Sequence, residues 1–197
     1  MEAKVVVGII FVILSLICIF VSLIQKKNSF FNIRKVVKDH LHIFKSCPYQ
    51  YVIFYVFPLF FATGLALIYQ AGDAFYSELS VVIGILLSIL MAILSVISGY
   101  DFSNIKDEGQ KKKANDVLTE TINAIVFNSL LCVFMMLYAL SMIIIDGADF
   151  SWIKIDTIIL KSVASGIAYY VFSVILLTLL LIVKHMSNMV ACNRKKD

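Results

Sequence analysis

The sequence predicts an all-α, polytopic membrane protein: a five-helix transmembrane bundle with a basic amphipathic interfacial helix. Three observations predict it. The chain is 61% hydrophobic and 15% charged, with a mean hydropathy of +0.94, whereas soluble domains run at ~45–50% apolar and ~25% charged. Five stretches contain no Asp, Glu, Lys, Arg or His: 5–24, 51–71, 79–100, 121–145 and 162–183. Finally, 14 of the 17 Lys and Arg residues fall on one side when the segments between these stretches are assigned to alternating sides.

Each stretch has 20 to 25 residues. Crossing ~30 Å of hydrocarbon at ~1.5 Å per residue takes ~20 residues, so each spans once and none spans twice. No period-2 alternation points to an outer-membrane barrel. Only a helix satisfies its own backbone within one spanning segment. The composition excludes a soluble or a disordered chain. Four scattered cysteines without a CxxC pair exclude a disulfide scaffold.

The first span, 5–24, is followed by Gln25-Lys26-Lys27, a stop-transfer pattern. A cleaved signal peptide is the alternative, against which stand the length of the stretch and the lack of a small-x-small site. The basic asymmetry predicts 25–50, 101–120 and 184–197 in the cytoplasm, with the N-terminus outside. The outer segments are short and acidic, with Trp152 as an interfacial anchor.

Residues 28–45 read as a basic amphipathic helix. Phe30, Ile33, Val37, Leu41 and Phe44 recur at helical spacing, and Arg34, Lys35, Lys38, His42 and Lys45 occupy much of the rest. The helix lies on the lipid surface, or packs on the inner end of the bundle, or binds a partner. His40 and His42 read as interfacial polar residues, since no Cys or carboxylate cluster joins them.

The second span, 51–71, follows Ser46-Cys47-Pro48, an N-cap with Pro in the first turn. Pro58 frees a carbonyl near Phe54 and predicts a kink. Its aromatic residues read partly as belt residues and partly as a lipid-facing or inter-subunit surface.

The third span, 79–100, is opened by Ser77-Glu78 and carries Gly84, Ser88, Ala92, Ser95 and Gly99. Small residues at such spacing let helix backbones approach, within one chain or between copies. Residues 101–120 read as a solvated connector or as a docking surface centred on Lys106, Lys111, Lys112 and Lys113. Nucleic-acid binding is not expected, since no aromatic residues interleave the lysines.

The fourth span, 121–145, holds Asn128, read as an interhelical hydrogen-bonding amide with pore lining as the alternative. The fifth, 158–183, opens at Asp156-Thr157 and pairs Ser162 with Gly166 and Ala164 with Ala168 at i,i+4. Residues 184–197 continue that helix and add Lys184, Arg194, Lys195 and Lys196 to the basic face. Met186, Met189 and Val190 on one side of it meet a partner, a sister copy or the 28–45 helix. Cys18 and Cys132 read as small apolar residues. Cys47 and Cys192 lie at the cytoplasmic edge, where palmitoylation is conceivable.

The five charge-free stretches, 5–24, 51–71, 79–100, 121–145 and 162–183, contain no Asp, Glu, Lys, Arg or His. Proton relays, coupled-ion sites and voltage sensors rely on such residues. No Ser/His pair, HExxH pattern or carboxylate pair lies at membrane depth, so no catalytic residue, metal site or cofactor is expected.

The layout and the stretch HIFKSCPYQYVIFYVFPLFFATGLAL, residues 42–67, resemble the KwaA family, the membrane subunits of the Kiwa anti-phage defence system. That family is described with four spans, against five here. The resemblance implies an inner-membrane homo-oligomer that responds to phage attachment and recruits a soluble partner, KwaB, which carries the DNA-directed activity. The residues alone leave two functions open. One is a non-enzymatic membrane scaffold or sensor that oligomerises and recruits a cytoplasmic effector. The other is an oligomeric pore.

Overall fold

A computed structural model describes residue 14 and residues 33–44, 48–99, 107–147 and 157–194. All its regular structure is helical: α1 (Ile33–Ile43), α2 (Pro48–Tyr51), a π-helical turn (Val52–Val56), α3 (Phe57–Ile68), α4 (Asp73–Ser98), α5 (Glu108–Gly147) and α6 (Thr157–Arg194). Four helical stretches are long and apolar enough to cross a membrane: Tyr49–Ile68, Asp73–Ser98, Glu108–Ile145 and Lys161–Val190. The expected first span, 5–24, lies outside the described residues, as do Phe30, Lys45 and the Ser46 cap.

The chain divides into two compact units, Met1–His42 and Ile43–Asp197. In the first, α1 exposes Arg34, Lys35, Lys38 and His42, as its amphipathic pattern requires. Its covered face departs from the expected one at Leu41. His40 is fully buried and Leu41 is 38% exposed. Ile33, Val37 and Phe44 of the expected line are covered, and Leu41 alone of its described members is exposed, with His40 covered in its place. Burial holds the His40 imidazole down to about 4, because desolvation disfavours its charged form.

In the second unit, α2, the π turn and α3 form one continuous helix. Proline at position 58 has no N–H for the Phe54 carbonyl, and its ring would clash there in an α-helix. The chain widens instead: the Phe57 N–H reaches back five residues to the Val52 carbonyl. The predicted proline defect is thus a π turn. On this turn Phe54 meets the buried Phe44 with tilted rings and Tyr55 meets it edge-on, at centroid distances of 5.0 and 6.0 Å.

Two predicted boundaries move. Helix α3 ends at Ile68 rather than at 71, and residues 69–72 link it to α4. Helix α4 begins at Asp73 with Gly72 as N-cap, so Ser77-Glu78 lies inside the helix. Asp73 is the first-turn carboxylate that faces the positive end of the helix dipole.

The packing order is α3, α6, α5, α4. Helices α3 and α4 are consecutive, yet they do not pack on each other. Four residues between them reach at most ~17 Å. A flat row would separate the outermost of four helices by about three spacings of ~9 Å. The row is therefore folded round, with α3 and α4 drawn toward each other at the 69–72 end.

Candidate functional site

The α5–α6 seam has a regular physical basis. Along α5 the covered positions Ala114, Leu118, Thr121, Ile125, Asn128, Cys132, Met135 and Ala139 recur every four and three residues in alternation. Along α6, Ala168, Val171, Ile175, Thr178, Ile182, His185 and Met189 do the same. A period of 3.5 keeps one stripe facing its partner over many turns, as in a coiled coil. Two cross-seam pairs fix an antiparallel register: Asn128 with Ile175, and Glu120 with His185.

This seam runs past the charge-free stretches. Helix α5 starts 13 residues before Thr121, and α6 continues 11 residues beyond Val183. At 1.5 Å per residue these extensions are about 20 and 16 Å long. Together they form a two-helix stalk. Residues 108–120 are thus helix rather than a connector. Asp107 caps it, its Oδ1 accepting the Gly109 N–H at 2.9 Å. Inside the stalk Ala114 is 3% and Met189 2% exposed, with Val117, Leu118 and Met186 packed against the same core. Val190 is 38% exposed.

The stalk carries the lysine run at the start of α5. Lys112 and Lys113 are exposed and Lys111 is half-buried. The antiparallel register sets the Arg194 end of α6 level with the first turn of α5, beside this lysine run. Lys184 is exposed at the stalk root. Lys106, Lys195 and Lys196 lie outside the described residues.

Also at the root, the His185 Nδ1 is buried and stands 3.9 Å from the Glu120 Oε2. That separation is too long for a hydrogen bond, and the Nδ1 has none. His185 lies two residues beyond the charge-free stretch of α6. Burial holds its imidazole below the ordinary value, Glu120 opposes this and Lys184 reinforces it.

Further along the seam Asn128 is fully buried. Its Nδ2 donates to the Ile175 carbonyl at 3.3 Å, and its Oδ1 has no partner. Full burial removes it from any lumen within one copy. The Thr121, Ser165, Ser173 and Thr178 hydroxyls each donate to a carbonyl one turn back in their own helix. Between Asn128 and Tyr138 the seam is closed by Cys132 and Met135, both fully buried.

At the opposite end, the 69–72 link is tied to α6. Ser165 Oγ accepts the buried Ala71 N–H at 2.8 Å, and Gln70 Nε2 donates to Ser162 Oγ at 2.9 Å. Tyr138 OH donates to the Ala164 carbonyl at 2.8 Å. Phe75 meets Tyr169, and Tyr76 meets Tyr138, as edge-to-face pairs.

The small residues divide into two groups. Gly166 is internal: a Cβ there would sit 3.5 Å from the Ala66 Cβ, where α3 buries Ala62 and Ala66. Gly84 is open, with nothing within 4 Å of such a Cβ. Ser88, Ala92, Ser95 and Gly99 are exposed. Helix α4 packs on α5 through its other face: Tyr76, Leu79, Ile83, Leu90 and Ile97. The aromatics of the Tyr49–Ile68 helix mostly point outward, with Tyr49 75% and Phe60 73% exposed.

No protein-family model, curated protein or solved structure matches the chain.

Proposed function

We propose that the chain is a non-enzymatic membrane scaffold or sensor subunit that oligomerises and recruits a soluble effector to a cytoplasmic stalk. The observation that carries this reading is the stalk itself, which presents Lys111, Lys112 and Lys113 near its tip, level with the C-terminal end of α6. The asymmetry of 14 among 17 basic residues supports a cytoplasmic position for this tip, and the family resemblance supports a bacterial inner membrane. Lys112 lies nine residues before Thr121, about 13 Å along the helix. Headgroups occupy only ~5–7 Å on each side of the hydrocarbon. The lysines therefore stand beyond the lipid surface, where a protein reaches them. Residues 5–24 add a fifth span, α1 lies at the lipid interface, and the open Gly84 face of α4 is the contact between copies. The resemblance of residues 42–67 to KwaA adds anti-phage defence as the setting and KwaB as the effector.

The test replaces Lys111, Lys112 and Lys113 together by Glu. One exposed charge contributes too little to decide the matter. Three reversals repel an acidic partner surface. Membrane insertion should stay normal, and co-purification of KwaB in mild detergent should fall at least tenfold. Should KwaB fail to bind the unaltered chain while that chain conducts ions in liposomes, the pore replaces the scaffold.

A further inference from the structure

At the stalk root a histidine occupies a core position of the seam. His185 takes the place that Ile182, Thr178 and Ile175 take in the preceding layers of α6. Its neighbours in the seam are the apolar Leu118 and Met189 layers and the fully buried Thr121. Its side chain is only 13% exposed, whereas that of Glu120 is 43% exposed. Among the described residues, the charged groups that act on it are Glu120 on α5 and Lys184 on α6. The carboxylate stands half in solvent at 3.9 Å, without a hydrogen bond to the ring.

From this geometry we infer that His185 is a proton-operated latch on the docking stalk: neutral, it closes the α5–α6 extensions, and protonated, it leaves the seam and opens them. The inference rests on the docking function proposed for the stalk tip and supplies its regulation. A neutral imidazole packs in the seam as a flat, largely apolar body. An imidazolium there is desolvated, and Lys184 repels it. The carboxylate at hand is too distant and too well hydrated to offset that penalty. The penalty falls on the layers beyond the charge-free stretch of α6, where Leu118, Met186 and Met189 are the apolar neighbours. Opening returns the ring to solvent and uncovers Leu118, Met186 and Met189.

The sign follows from the lowered affinity for protons. The closed stalk binds fewer protons at His185 than the open one, so closure is complete above the ordinary histidine value of about 6.5 and is lost as pH falls below it. A cytoplasmic latch of this sign responds to acidification, which accompanies loss of a transmembrane proton gradient. His40, held down to about 4 by burial, stays neutral through that interval and does not contribute.

The experiment measures the distance between the two stalk helices in the full chain in nanodiscs. Spin-labelled noncanonical residues at the exposed Asn115 and Asn188 report it. Between about pH 7.5 and pH 5.5 histidine changes charge, and the distance distribution should lengthen and broaden over that range. His185→Gln should stay closed throughout. His185→Lys should be open at both values. Glu120→Gln removes the one group that favours the proton in the closed seam, widens the gap in proton affinity between closed and open forms and should move the midpoint to higher pH. An unaltered chain that keeps one distance across the range overturns the latch, as does a His185→Gln chain that still opens. Neither readout involves the effector. Opening with normal KwaB capture by the triple-Glu chain would refute the docking reading alone, and the reverse pattern would refute the latch alone.

Discussion

Asn128 on α5 and Ile175 on α6 are joined across a fully buried seam, the amide donating to the Ile175 carbonyl at 3.3 Å while its own oxygen has no partner. This is one long bond and one orphaned acceptor in an otherwise close-fitting layer. Such an amide specifies register more than it stabilises. Interhelical bonds of this kind average ~0.6 kcal/mol in membranes, and an unpaired buried acceptor costs about 1–3 kcal/mol.

Asn128→Leu, close in volume, should therefore change unfolding stability in mild detergent by less than about 1 kcal/mol. Asn128→Ala leaves a small cavity and should lose about 1–2 kcal/mol. A loss of several kcal/mol in the Leu variant would show that Asn128 serves something other than register.

The spans were legible because an uninterrupted apolar stretch has one physical solution in a membrane. The stalk was not, because the charge-free criterion stops at Thr121 and Val183 while the 3.5-residue spacing continues to Ala114 and Met189. Counting that spacing through the charges would have revealed it. The stripe of Gly84, Ser88 and Ala92 was visible in the sequence, but its direction was not. A spanning helix is apolar all round, so periodicity does not say which face meets protein. In α1 a histidine took the covered position that hydropathy assigned to Leu41. Pro58 was read as a kink, and the structure has a π turn at that place.

The 69–72 link should be held chiefly by one hydroxyl. Ser165→Ala strips the partner from the buried Ala71 N–H and should cost about 1–3 kcal/mol. Gln70→Ala breaks an exposed bond to Ser162 and should cost less than about 1 kcal/mol. Thermal unfolding of both variants in the same detergent checks the order. Equal losses would mean that the link is held by its aromatic neighbours instead.

Orientation follows from charge and is tested separately from function. A reporter active only in the cytoplasm should work when fused after Asp197 and stay silent when fused at Gly72, since these positions flank an odd number of charge-free stretches. The opposite pattern would place the stalk outside and withdraw a cytoplasmic effector from consideration.

The two glycines on α4 and α6 should respond oppositely to the same change. Gly166→Leu drives a branched side chain into Ala66 across the α3–α6 contact. It should lower the stability of the single chain by about 1–3 kcal/mol, the range for overpacking. A Cβ at Gly84 meets nothing within 4 Å, and leucine favours helix over glycine by up to ~1 kcal/mol. The single chain should therefore keep or gain stability. If α4 is the contact between copies, Gly84→Leu with Ser88→Leu separates the helices and lowers the oligomeric mass in detergent, read by light scattering. An unchanged mass with an intact fold would leave the stripe facing lipid, and the assembly would have to be sought on the exposed aromatic face of Tyr49–Ile68 instead.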